Sequence, residues 1–266
     1  MNRAALALAD AWRKPYFRTM EDPESIPEGL RLDRRWCRGL IVPSAEHASR
    51  LVGELGVPAE LVRVVPPGLA PRAEARPAWG AAVPVVGTAV APDLSALSVF
   101  LPAARRVLDL GWDVEFLVAS QDADPFEVRR AAREQGLAER VSLVDPAFLE
   151  ARFWSVLDIF CHAAGRLASP WMLVRAMAEG IPSLAVRTAG TERLIEHGRS
   201  GLLVEPDDPV AMAAAIIRLL VDPPAAATLS RQAQQVIRAR FSPDAEADRL
   251  AALYRSCVPS APRSGG

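Results

Sequence analysis

The chain has 266 residues, 50% of them hydrophobic and 24% charged, and its 31 basic and 32 acidic side chains leave a formal net charge of -1. Such a composition belongs to a globular protein that buries one large core or two modest ones, and its balanced charge lacks the excess of cations that holds a nucleic-acid backbone. The three cysteines, Cys37, Cys161 and Cys257, are far apart and in no C-x-x-C spacing, which argues against a disulfide framework or a zinc site and fits reduced thiols in a cytoplasm.

Residues 2–13 carry helical spacing, but their apolar run is short, is broken by Asp10 and lacks a small-residue cleavage site, so they do not read as a secretory signal. No later window approaches the roughly 20 apolar residues of a membrane span. A cytoplasmic location is expected, with peripheral contact at the inner membrane face left open. Next come a strand at 15–20, a helix at 30–38, a strand at 39–44, a helix at 45–56 and a strand at 61–66. Three strands with helices make a small α/β unit over residues 1–65. Residues 66–82 are rich in proline and alanine without periodicity, the composition of an interdomain linker.

From residue 83 the pattern changes. Short apolar, mostly β-branched runs at 84–89, 113–119, 140–145, 158–163, 182–187 and 201–205 alternate with helical patterns at 95–111, 125–136, 147–157, 170–180 and 191–198. This is the sequence form of a doubly wound parallel sheet, assigned here to residues 83–241 and closed by two amphipathic helices over 208–241. Ser242 can cap a last helix over 242–257 with Pro243 in its first turn. The tail 258–266 is expected to be disordered. G-x-S-x-G, P-loop and G-x-G-x-x-G signatures are absent, which argues against a serine hydrolase, an ATPase and dinucleotide-dependent redox chemistry.

Residues 158–209 preserve Asp158, Ala176, Met177, Ala178, Gly180, Pro182, Gly190, Gly198, Gly201, Leu202, Leu203, Val204, Pro206 and Asp208 in fixed spacing. This framework resembles the donor-sugar signature of glycosyltransferase family 4, in which E-G-F-G precedes E-A-m-A-x-G-x-P and G-G-x-x-E follows. Ser44, Gly56, Val57, Val65, Pro66 and Gly68 are similar to the segment that closes that family's N-terminal domain. The resemblance implies an α/β fold of the GT-B kind, with a donor-side C-terminal domain and a truncated N-terminal unit. The earlier βαβ units, the glycine-rich loop and the acceptor-binding histidine have no counterpart, and the last helix corresponds to the one that crosses back to the first domain.

The same resemblance implies a retaining transfer of hexose from a UDP- or GDP-linked sugar, with Gly87, Thr88, His162, Ser169, Arg175, Gly190, Thr191 and Glu192 as donor-binding positions and no cofactor or metal. No residue is assigned as catalytic. The family's two glutamates, eight apart, fall on Leu167 and Arg175, and neither side chain offers an acceptor for ribose or sugar hydroxyls. The turn from Gly87 to Leu94 lacks the family's cations, and the last acidic position falls on Arg193 with Glu192 one place earlier. Activity is therefore expected to be impaired or altered. The alternative is a non-catalytic binding or partner subunit that uses the remnant of the cleft, or the exposed edge of the incomplete sheet, to bind another protein or a second copy.

Plainer roles are available to the same residues. His162 is expected at the carboxyl end of its strand, either binding a ligand or satisfied locally. Arg175 can meet a phosphate or pair with Glu179 one helical turn on. Arg166 and Arg187 can form a new anion site, Thr88 and Ser169 suit a turn and a helix cap, and His197 is expected at a helix end.

Overall fold

A computed structural model describes residues 11–12, 14–20, 35–72, 83–90, 94–120, 123–144, 153–163 and 170–257. The chain divides into two compact units, Met1–Gly68 with Phe241–Gly266, and Leu69–Arg240. In the first, β1 (Tyr16–Thr19), β2 (Cys37–Val42) and β3 (Val62–Val64) form a parallel sheet in that order. Gly39 is required on β2 because a Cβ there would lie 2.5 Å from the Leu61 carbonyl oxygen. Helix α1 (Ala45–Gly53) starts where the Ser44 hydroxyl accepts the His47 N–H. It closes a small core of Met20, Leu40, Val42, Leu51 and Val57.

The C-terminal helix (Pro243–Cys257) belongs to this unit. Its Ser242 caps the Ala245 N–H, its Glu246 accepts the Gly68 N–H at 2.8 Å, and its Tyr254 meets Phe17 edge-on at 5.5 Å. The helix expected over 30–38 does not include Cys37 and Arg38, which are the first residues of β2. Cys37 pairs with Tyr16 and is buried, so strand pairing overrides the local pattern; residues 30–34 lie outside the described residues.

The second unit carries β4 (Val85–Val90), β5 (Glu115–Ser120), β6 (Val141–Val144), β7 (Ile159–His162), β8 (Ser183–Val186) and β9 (Leu202–Val204). All pairings are parallel, in the order β6-β5-β4-β7-β8-β9. The chain enters at the centre, winds outward to β6, returns to β7 and winds the other way. The strand order reverses between β4 and β7, and open α/β sheets bind ligands outside the carboxyl ends of the strands at such a reversal.

Among the described residues, these strands are connected or covered by α2 (Leu97–Asp109), α3 (Pro125–Glu134), α4 (Phe153–Val156), α5 (Trp171–Ala178), α6 (Ala189–Glu192), α7 (Pro209–Val221) and α8 (Pro223–Arg240). Asp-Pro opens α3, α7 and α8. The carboxylates of Asp124, Asp208 and Asp222 accept the N–H groups of Phe126, Ala211 and Ala225, while proline fills a position with no helical donor to lose. Val86, Phe116, Val118, Ile159, Cys161, Leu184 and Leu202 point to one face of the sheet and join α2 and α7 in the main core. Phe160 alternates to the other face, against Trp154 of α4 at 5.5 Å.

The framework residue Asp158 and the donor-binding candidate Gly87 act through strand packing. The Asp158 carboxylate accepts the Val85 N–H at 2.8 Å, tying the starts of β4 and β7. Gly87 leaves room for the Leu157 side chain, which a Cβ would strike. The helix expected over 191–198 is instead α6 at 189–192. Thr188 and Thr191 form a reciprocal cap that moves its start back. Its continuation turns at Gly198 (φ +77°), with the Ser200 hydroxyl taking the Glu196 N–H. His197 therefore sits at no helix end; its Nδ1 accepts the Leu203 N–H at 2.9 Å, which places the proton on Nε2. The expected linker is held at its start: the Arg72 N–H donates to the Ala178 carbonyl and the Arg72 carbonyl accepts from the Gln234 amide, and residues 73–82 are outside the described ones.

Candidate functional site

The central strands bring Gly87, Thr88 and His162 together. Gly87 and Thr88 lie inside β4, whose last residue is Val90, so neither belongs to the turn in which the sequence places them. Thr88 is fully buried opposite Cys161, and its hydroxyl donates to the Cys161 carbonyl at 2.8 Å. That hydroxyl serves the sheet. Thr88→Val keeps the shape and removes the bond, and it is expected to cost about 1–2 kcal/mol, read as a lower urea midpoint at unchanged slope. An unchanged midpoint would refute the assignment.

His162 is the last residue of β7 and is 4% exposed. Burial pushes its imidazole down to about 4, so the ring is neutral near pH 7. Among the described residues no hydrogen bond reaches it. Cys161 beside it is a buried free thiol, pushed up by the same desolvation and held as the unreactive thiol.

Arg175 stands half-buried on α5, and its Nε donates to Glu179 at 3.2 Å, so the guanidinium is paired along its own helix. Beyond β8, Gly190, Thr191 and Glu192 make up most of α6. The Thr191 hydroxyl donates to the Val186 carbonyl and accepts the Thr188 N–H, so its polar atom is engaged within the fold. Glu192 accepts Arg187 at 2.9 Å, and Arg187 also reaches Glu205 at 2.7 Å. The hydrogen bonds it donates to Glu192 and Glu205 raise the guanidinium's proton affinity further. With two carboxylates on one cation, Arg187 offers no net positive charge to an anion.

Ser169, Leu167 and Arg166 lie outside the described residues. Sequence reading missed the Arg187–Glu192–Glu205 network. Its signal is that Arg187 and Glu205 each follow the end of a neighbouring strand, where Val186 and Val204 are in register. Among the described residues no group of three or more His, Cys, Asp and Glu side chains is placed to hold a metal. No single described helix is long and apolar enough to cross a membrane.

Residues 80–222 match the family model described as glycosyl transferases group 1. The chain is similar to D-inositol 3-phosphate glycosyltransferase 1 of Catenulispora acidiphila, 28% identical over 240 residues that cover 82% of this chain and 57% of that protein. It is also similar to the alpha-D-kanosaminyltransferase of Streptomyces kanamyceticus, 27% identical over 59% of this chain and 41% of that one. The chain thus spans about half the length of these curated relatives. Among solved structures, Anabaena HepE in complex with UDP-glucose superposes with a TM-score of 0.71 at 19% identity, covering 93% of this chain and 74% of that one. That likeness carries the fold: α/β, with parallel sheets, of the GT-B glycosyltransferase kind.

Proposed function

The chain belongs to the glycosyl transferases group 1 family, and from that membership we propose that it binds a UDP- or GDP-linked sugar at the carboxyl ends of β4 and β7, with hexose transfer impaired or altered. The observation that supports this reading is the strand order, which reverses between β4 and β7, the place where open α/β sheets bind ligands, and β7 ends there on His162. Impairment follows from the chemistry of α5. A guanidinium already paired with Glu179 stands where the family resemblance calls for a ribose-binding carboxylate, and it has no acceptor to give. Buried free thiols at Cys37 and Cys161 suit a reducing cytoplasm, the location this reading includes.

Thermal denaturation with UDP, GDP, ADP and their sugar conjugates at millimolar concentration tests it. A ligand at a hundred times its Kd stabilises the folded state by about 2.7 kcal/mol, which raises the midpoint of a unit this size by roughly 5–10 °C. One nucleotide series is expected to give that rise. No shift with any of them sinks the nucleotide-sugar reading.

A partner-subunit reading is favoured by one observation. Among the described residues, β1 and β3 each pair on one side only, and Val64 of β3 is 42% exposed. Open strand edges invite further pairing. The molar mass in solution tests this reading: a strict monomer at micromolar concentration excludes self-pairing there.

A further inference from the structure

Side chains alternate along β7, and Ile159 and Cys161 enter the core shared with α2 and α7. His162 therefore faces the other way, on the side of Phe160 and Trp154, at the carboxyl end of a strand beside the reversal in strand order. Its neighbours there are small. Ala185 of β8 is its partner in register, and Ala89 of β4, one step beyond the Thr88–Cys161 pair, is half-buried rather than buried. The residue is 4% exposed and no hydrogen bond to its ring is seen among the described residues, so the ring's donor and lone pair are both left for a ligand.

Among the described residues, the elements packed around it supply no charge to pair with. Val85–Val90, Ser183–Val186 and Phe153–Val156 contain no charged side chain, and the only one on α5 is Arg175, held by Glu179. Burial without an anionic partner keeps the ring uncharged, pushed down to about 4. A neutral imidazole has one N–H and one lone pair. A phosphate oxygen can use only the first and favours the protonated ring, whereas a hydroxyl group both accepts and donates.

We propose that His162 is a specificity contact of the donor site, its imidazole exchanging hydrogen bonds with a hydroxyl group of the bound nucleotide sugar. This rests on the nucleotide-sugar reading above. The hydroxyl belongs to the ribose or to the hexose, and the two sources separate experimentally.

The test is the affinity of the whole chain for free nucleotide and for nucleotide sugar, UDP with UDP-glucose and GDP with GDP-mannose, measured by calorimetry for the wild type, His162→Phe and His162→Asn. His162→Phe is expected to weaken the nucleotide sugar about tenfold, while His162→Asn, which keeps a donor and an acceptor, stays within about threefold of the wild type. A loss confined to the nucleotide sugar assigns the hexose hydroxyl; an equal loss for the free nucleotide assigns the ribose. Melting of the unliganded variants checks that each is folded, and His162→Leu, expected to lose the same tenfold, carries the test if phenylalanine disrupts the strand. Wild-type binding that His162→Phe leaves unchanged overturns the contact alone. So does wild-type affinity for the nucleotide sugar that climbs about tenfold per unit as pH falls from 7.5 to 5.5, the signature of an imidazolium on phosphate. Absence of wild-type binding to either series overturns the nucleotide-sugar reading and this contact with it.

Discussion

Acidification from pH 7 to pH 4.5 is expected to remove about 2 kcal/mol of folding stability through His162 alone. The ring is buried at the end of β7 and its desolvation lowers the folded-state value from 6.5 to about 4. Between those two values the unfolded chain binds a proton that the folded chain refuses, so stability rises with pH across the window. The contribution is complete above about pH 6.5 and is lost progressively as pH falls toward 4. Urea midpoints at pH 7, 6, 5 and 4.5 measure the loss. His162→Gln, which does not titrate, isolates it from the carboxylates that also protonate at the acid end. Parallel midpoint curves for wild type and variant would show that the ring titrates normally and has access to water.

The second unit was legible because β7, β8 and β9 are buried on both faces and the other strands keep apolar runs of the same kind. The runs at 84–89, 113–119, 140–145, 158–163, 182–187 and 201–205 differ from β4 to β9 by no more than two residues at either end, since a continuous apolar run has no other place in a folded chain. Which strand lies beside which was not visible, because β4 touches β7 only through the return crossing, a long-range pairing that leaves no local pattern. Local patterns also failed where tertiary bonds win. Residues 191–198 have helical spacing, yet the Thr188–Thr191 cap, the Ser200 hydroxyl and the His197 ring bend them toward β9. Cys37 and Arg38 are drawn into β2 by pairing with β1.

The candidate site was less legible than the fold. The Arg175–Glu179 pair could be read from a spacing of one helical turn. Thr88 could not be read, because a threonine two residues before the end of a buried strand looks the same in sequence as one in a phosphate-binding turn; only its bond to the Cys161 carbonyl separates them. Arg187, Glu192 and Glu205 come from the end of β8, from α6 and from the end of β9. Their meeting depends on the register of two strands.

Arg175→Glu is expected to tighten nucleotide binding by roughly 10- to 100-fold, the worth of about 1.5–3 kcal/mol of charge-assisted hydrogen bonds. The helix α5 follows β7 and leads into β8, and Arg175 is 33% exposed on it. By family resemblance this position faces the ribose, whose two hydroxyl donors need an acceptor that a guanidinium does not have. The substitution also has a cost. It exchanges the i,i+4 attraction to Glu179 for a repulsion, together about 0.5–1 kcal/mol, so the unliganded midpoint should fall by roughly 1–4 °C. Arg175→Gln, neutral and able to accept one bond, should fall between the two in affinity. Calorimetry with the nucleotide that stabilises the wild type decides the matter. If Arg175→Glu weakens binding instead, the guanidinium is itself a ligand for the diphosphate, released from Glu179 when the nucleotide arrives. The donor site is then rewired around a cation rather than impaired by the loss of an acid.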